Sequence, residues 1–221
     1  MPRVYDLCLG GAVFAPYGAD LARRAAFLAP QRVLELAAGT GIVTTALVSA
    51  LPSAEIVATD LNASMVDYAA AKVPGPRWEV ADAQDLRFAD GSFDLVVCQF
   101  GVMFLSDRVN AYRGVGRVLQ PGGSLLVNAW DTLDTHVVEA AVFDAMAELF
   151  PQDPPDFLRR VPHGYADPDR IRDDVEAAGL EVVELERVGL SGKAPSAAAL
   201  AEGVLPRDAA AFRTRETGQA C

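Results

Sequence analysis

Apolar residues fall in short runs separated by longer stretches of helical spacing. The runs at 33–36, 56–59, 78–80, 93–98 and 124–130 are too short for buried helices and read as strands. Their cores (IVA, LVV, LLV) are apolar at consecutive positions instead of alternating, as strands covered by helices on both faces require; this predicts a parallel sheet. Between the runs, residues 42–51, 62–72 and 106–119 read as helices. Pro52 stops the first, Asn62 stands in the N-cap position of the second, and Pro121-Gly122-Gly123 ends the third. Upstream, residues 18–29 form an amphipathic pattern with Leu21, Ala25 and Leu28 on one face, ended by Pro30. Alternation of strand and helix predicts a doubly wound α/β fold. After Trp130 the pattern loosens into a helix at 134–149, a proline-rich loop at 151–167, and a helix at 168–178 ended by Gly179. A strand-like run at 180–190 follows, and the tail from Lys193 carries a short alanine-rich helix.

Length and chemistry narrow this further. A chain of 221 residues without an internal repeat or linker predicts one domain. Residues 1–30 would act as an N-terminal cover, 31–130 as a cofactor-binding core, and 131–221 as substrate-side and C-terminal elements. The segments 1–17 and 151–167 are expected to be irregular and to lie over the crevice. A hydrophobic share of 51% against 22% charged residues excludes a disordered chain. The net charge of −11 argues against a nucleic-acid partner, which needs a concentrated basic surface. Cys8, Cys98 and Cys221 are odd in number and far apart, as suits reduced thiols in a cytoplasmic protein, with Cys98 a small core residue. With His136 and His163 as the two histidines, no metal-ligand spacing can be written. No apolar run reaches the ~18 residues of a membrane span, and the N-terminal residues show no basic region followed by an apolar one, so neither a membrane span nor a leader is expected.

The most informative stretch is Val33 to Ile42, where VLELAAGTGI runs from a strand through small residues into a helix N-terminus. Glycines let the backbone pass close beneath a ligand, and free helix N–H groups face an anionic part of it. Asp60 ends the second strand twenty-one positions after Gly39, near the ~20-residue offset of an acid that holds ribose hydroxyls. Asp82 follows the third strand, and in a parallel sheet all these ends open on one crevice. A nicotinamide-dinucleotide fingerprint would need glycine or alanine where Thr44 stands and has no use for Glu35, so it fits less well.

LELAAGTG at 34–41, TDLN at 59–62, VADAQDL at 80–86, DGSFDLVVCQFGVMF at 90–104 and RVLQPGGSLLVNAW at 117–130 resemble the class I S-adenosylmethionine-dependent methyltransferases. The resemblance is to the small-molecule branch that includes the ubiquinone/menaquinone-type C-methyltransferases, and it extends into YDLCLG, FAPYGADLA and VPHGYADP. It implies a mostly parallel Rossmann-like sheet and S-adenosylmethionine as cofactor, with S-adenosylhomocysteine as product. It further implies that Glu35, Ala37 and Gly39 line the methionine portion, Asp60 takes the ribose, and Leu61 packs on the adenine. By the same resemblance Asp82 and the backbone of Ala83 take the adenine amino group. Gln99 and Phe100 would close the site near the sulfonium, and Tyr17 would contact the cofactor from the cover. Two departures stand out. Ala37 replaces the first motif glycine, which ordinary backbone angles would tolerate. The tail also lacks four consecutive apolar β-formers for an antiparallel seventh strand, which is either absent or supplied by residues 211–214.

The implied reaction is in-line methyl transfer to a small, aromatic or lipophilic acceptor, mainly a matter of alignment in a water-poor pocket. A base is needed only where the acceptor is not already nucleophilic. His163, with Tyr165 as an orienting partner, is the first candidate, and His136 is the second. Phe14, Trp130, Phe150 and Phe157 are candidate walls of an apolar pocket. The competing function is a cofactor-binding protein of the same fold that is regulatory or catalyses a non-methylating rearrangement.

Overall fold

The computed structural model describes residues 2–154, 156–196, 200 and 203. Among them, five strands form one sheet: β1 (Arg32–Leu36), β2 (Glu55–Asp60), β3 (Arg77–Val80), β4 (Phe93–Gln99) and β5 (Leu119–Asn128). Their order is β3-β2-β1-β4-β5, and every neighbouring pair is parallel. The helices are α1 (Pro2–Tyr5), α2 (Ala15–Leu28), α3 (Ile42–Ala50), α4 (Ala63–Lys72), α5 (Arg108–Val118), α6 (Val137–Leu149), α7 (Phe157–Arg160) and α8 (Pro168–Ala177). Among the described residues, no helix is long and apolar enough to cross a membrane.

The consecutive apolar runs follow from a sheet buried on both sides. Val33, Ile56, Leu95 and Val97 pack with Leu21 and Ala25 of α2 and Val43 and Leu47 of α3. The alternate residues Leu34, Leu36, Val57, Val96 and Cys98 pack with Tyr112, Val115 and Val118 of α5 and Val175 of α8. Each fully buried aliphatic side chain contributes about 1.5–3 kcal/mol, so both layers hold the central strands rigidly. Asn62, Asp107 and Asp167 cap α4, α5 and α8 by accepting from Ser64 N, Asn110 N and Asp169 N.

Strand order reverses between β1 and β4. In a doubly wound sheet, the crevice beyond the carboxyl ends of two such strands is where ligands bind. β5 begins at Leu119, ahead of the 124–130 run, because Pro121-Gly122-Gly123 bulges out between the Phe93–Leu119 and Leu95–Ser124 pairs.

Three expectations are corrected by the structure. The expected irregular segment 1–17 is helical over its described residues: α1, a π-helical stretch Asp6–Phe14 and α2 make a continuous helical arm from Pro2. The run at 180–190 forms no strand; Leu180 and Val182 pack on the core, and Arg24–Glu186 and Arg187–Asp131 ion pairs tie the segment down. The proline-rich loop contains the short helix α7. Most of the tail beyond Ser196, including residues 211–214, lies outside the described residues.

Candidate functional site

At the reversal point both central strands end in a non-glycine residue with left-handed backbone: Ala37 after β1 (φ 53°) and Phe100 after β4 (φ 51°). Such geometry costs an L-residue roughly 1–2 kcal/mol, and it persists where the surroundings impose it. Ala37 therefore does not occupy the ordinary backbone region that its sequence suggested. Phe100 is held by its N–H, which donates to both O and Oδ1 of Asn128 (3.1 and 3.2 Å). Gly39 and Gly41 complete the turn at φ 56° and 77°.

The Ala37 methyl has a partner in Gly101. A Cβ built on Gly101 would lie 2.6 Å from the Ala37 Cβ and 2.7 Å from Cys98 Sγ. Gly101→Ala is expected to destabilise the fold by about 1–3 kcal/mol in urea titration, as overpacking does. Adding Ala37→Gly should restore part of that loss, leaving the Cys98 contact as the remainder.

Glu35, the last but one residue of β1, is buried and its Oε2 has no hydrogen-bond partner. Burial, opposed by neighbouring Thr44 and reinforced by the Asp60 charge, pushes its carboxyl up to about 8. Across the turn, Asp60 Oδ2 accepts from Gly39 N (2.8 Å) and Oδ1 from Asn62 N (2.9 Å). The carboxylate thus braces the glycine turn, and each oxygen keeps a lone pair for a further donor. Leu61 beside it is exposed. Asp82 Oδ1 accepts from Gln84 N (2.8 Å), and the adjacent Ala83 lines a small apolar cavity with Ala37, Gly101 and Tyr112.

The helical arm closes over this turn through contacts that the sequence did not announce. Asp6 accepts from Thr40 Oγ1 (3.1 Å), Tyr68 Oη (3.0 Å) and Lys72 Nζ (2.7 Å), joining the arm to the glycine turn and to α4. Gly10 lets the arm lie against α3, since a Cβ there would be 3.2 Å from Ile42 Cδ1. From β4, Gln99 Nε2 donates to Phe14 O (3.1 Å), while Gln99 Oε1 is buried with no partner. An isolated acid in an apolar stretch carries no periodic signal, so Asp6 could be found only from coordinates.

Aromatic rings wall the opposite side. Phe100 stacks on Trp130 with centroids 3.4 Å apart, and Tyr17 meets both edge-on at 5.3 and 5.5 Å. Phe14 joins them at about 6 Å, whereas Phe150 is exposed and Phe157 lies on α7. His136 stands edge-on to Trp130 at 5.2 Å, and His163 lies 4.6 Å from His136. The His163 Nδ1–H donates to Asp131 O (2.7 Å), leaving Nε2 as the acceptor nitrogen. Burial, partly opposed by that hydrogen bond, lowers the His163 pKa below its ordinary value, and His136 lowers it further. The neutral imidazole is therefore the resting form at neutral pH.

Tyr165 does not accompany His163. It is fully buried in the core with its ring under the Arg108 guanidinium at 4.3 Å, and its hydroxyl is pushed upward by burial and by Tyr112. The expected orienting pair is thus replaced by the two histidines and the Asp131 carbonyl.

A doubly wound sheet with an acid-flanked glycine turn and an aromatic wall at its reversal point defines a nucleoside-binding α/β class. Within that class, residues 34–127 match the methyltransferase-domain family. The chain is 30% identical to the ubiquinone/menaquinone biosynthesis C-methyltransferase UbiE of Stutzerimonas stutzeri, over 79% of this chain and 73% of that one. It is 41% identical to the demethylmenaquinone methyltransferase of Thermus thermophilus over 50% of this chain and 55% of the relative. The YcgJ protein of Bacillus subtilis shares the fold (TM-score 0.54, 24% identity, 74% and 68% of the two chains). The chain belongs to the class I S-adenosylmethionine-dependent methyltransferase family, in its ubiquinone/menaquinone-type branch. It spans about half the length of the first of these curated relatives that it matches.

Proposed function

We propose that the protein transfers a methyl group from S-adenosylmethionine to a small aromatic or lipophilic acceptor. The observation that carries this reading is a pair of buried acceptor atoms without donors, Glu35 Oε2 and Gln99 Oε1, on the two strands that flank the reversal point. A buried acceptor left unpaired costs about 1–3 kcal/mol, and a cationic ligand bearing an ammonium group removes that cost. The residues present therefore fit the cofactor. When bound, S-adenosylmethionine supplies a methyl already activated by its sulfonium.

In this reading Glu35, Ala37, Gly39 and Gln99 hold the methionine portion, with Phe100 and Tyr17 against it. Asp60 uses its remaining lone pairs for the ribose hydroxyls. Leu61, Asp82 and Ala83 take the adenine. The wall of Phe14, Phe100 and Trp130 excludes water and offers flat apolar surface to the acceptor. Two of the matched relatives are named quinone-biosynthesis methyltransferases, which supports an aromatic, lipophilic acceptor here. His163, with Nδ1 committed to Asp131 O and Nε2 free, is the group that takes a proton from the acceptor.

Calorimetry with S-adenosylhomocysteine and, separately, NAD tests the cofactor assignment. S-adenosylhomocysteine alone should bind; binding of NAD alone would overturn the reading. Asp60→Ala should weaken that binding by about 1.5–3 kcal/mol, the range for hydrogen bonds to a charged group, with added loss where the glycine turn loosens. Full affinity in this variant would mean that the ribose is held elsewhere.

A further inference from the structure

His136 and His163 are the only histidines in the chain, twenty-seven positions apart, yet their rings stand 4.6 Å apart beside Trp130. Both stem from elements that follow β5: His136 directly precedes α6, and His163 follows α7. His136 Nε2 is buried and has no hydrogen-bond partner, although it belongs to a side chain that is not fully enclosed. A nitrogen withdrawn from water without a partner costs free energy unless a ligand supplies one.

The two imidazoles differ in what they present. The His163 Nδ1–H is spent on Asp131 O, so its free nitrogen is an acceptor. A second acceptor lone pair on the neighbouring ring would oppose it, whereas an Nε2–H on His136 complements it. A donor and an acceptor side by side match one chemical group well: a hydroxyl, which accepts through its oxygen and donates through its hydrogen. A ketone or an ether lacks the hydrogen, and an ammonium lacks the lone pair.

Resting on the methyl-transfer reading above, the geometry points to a two-histidine clamp on a hydroxyl of the aromatic acceptor. The His136 Nε2–H donates to the hydroxyl oxygen, and His163 Nε2 accepts the hydroxyl hydrogen. In the proton step the O–H bond breaks and its electron pair stays on oxygen. The proton joins His163 Nε2 and is later given up to solvent. His136 fixes where the oxygen sits, and the acceptor ring lies along the Trp130–Phe100 stack. The charged groups around the pair are partly spoken for: Asp131 pairs with Arg187 and Asp134 with Arg159, while Glu139 follows on α6. Arg159 disfavours and Glu139 favours a proton on His163.

The test uses the whole chain loaded with S-adenosylhomocysteine, and α-naphthol and its methyl ether as probes. α-Naphthol should bind at least about 10-fold tighter than the ether, as loss of one well-made hydrogen bond implies. On its addition the side-chain nitrogen resonances of both histidines should shift in the unmodified protein, and only two such sets exist to follow. His136→Phe, which keeps an edge against Trp130, should weaken binding of both probes, whose oxygens each accept from His136, and raise the KM for α-naphthol about 10-fold or more. His163→Gln should act on kcat instead, with KM changing less than about 3-fold. Equal binding of the two probes, or a His136 resonance unmoved by α-naphthol whether or not the probe binds, overturns the clamp. Failure of the unmodified protein to bind S-adenosylhomocysteine would overturn the cofactor reading instead.

Discussion

Glu35→Gln is expected to make the ligand-free protein more stable at pH 8 and to weaken its grip on the cofactor. The two effects share one cause. The Glu35 carboxyl is fully buried, its Oε2 has no partner, and its pKa is raised from 4.5 to about 8. A group whose folded-state pKa lies above its unfolded value contributes stability that is intact below the unfolded value and lost as pH rises through the folded one. The ligand-free protein should therefore lose stability steadily between pH 4.5 and about 8, by a few kcal/mol in all, as the acid is forced to ionise without a counter-charge. Glutamine keeps the shape and removes that slope. Its urea midpoint should match the wild type near pH 5 and exceed it at pH 8. With S-adenosylhomocysteine the gap at pH 8 should narrow, because a carboxylate facing the ligand's ammonium is worth about 1.5–3 kcal/mol that an amide oxygen cannot match. Identical pH slopes in the two proteins would show that Glu35 ionises freely in the crevice. Identical affinities would place the ammonium elsewhere.

How far such a site can be read from sequence depends on whether its residues lie on a repeating pattern. All five strands and the helices between them were legible because each central strand buries both faces. Val33 and Leu34, or Val97 and Cys98, point to opposite helical layers, and that demands consecutive apolar residues. The glycine turn and Asp60 stood out in the sequence because the acid ends its strand at a characteristic offset from Gly39, whereas the expectation for Glu35 came from the resemblance alone. The helical arm was not legible, since Gly10, Gly11 and Pro16 look like loop residues. In the structure Gly10 serves close packing on α3, and Pro16 stands where the π-helical stretch passes into α2. The run at 180–190 has the composition of a strand, but composition says nothing about an available sheet edge. Asp6 and the approach of His136 to His163 are long-range contacts between irregular or single positions, and no period marks them. The left-handed angle at Ala37 was hidden because alanine there is a departure from the usual glycine. The residue type alone gave no hint of the strain.

His163→Gln should cost turnover by about 100-fold or more, the lower range for loss of a positioned base, with affinity for S-adenosylhomocysteine unchanged. The pH profile separates this role from a merely structural one. The His163 pKa is lowered from 6.5, chiefly by burial and further by His136, so the neutral form that can accept a proton dominates at pH 7. Turnover of α-naphthol, followed as S-adenosylhomocysteine released, should be flat around neutrality and fall on an acid limb lying below pH 6.5. Stability carries the same sign: a histidine whose folded-state pKa is lowered keeps its fold contribution above 6.5 and loses it as pH falls through and below that value. Acid inactivation must therefore be compared with cofactor affinity at each pH, since unfolding would remove both together. In the glutamine variant the residual turnover should lose this limb. The amide holds the Asp131 carbonyl but cannot take up a proton near neutrality. An acid limb that survives in His163→Gln would assign it to another group, and unchanged turnover at every pH would reduce the contribution of the chain to alignment of an acceptor that ionises on its own.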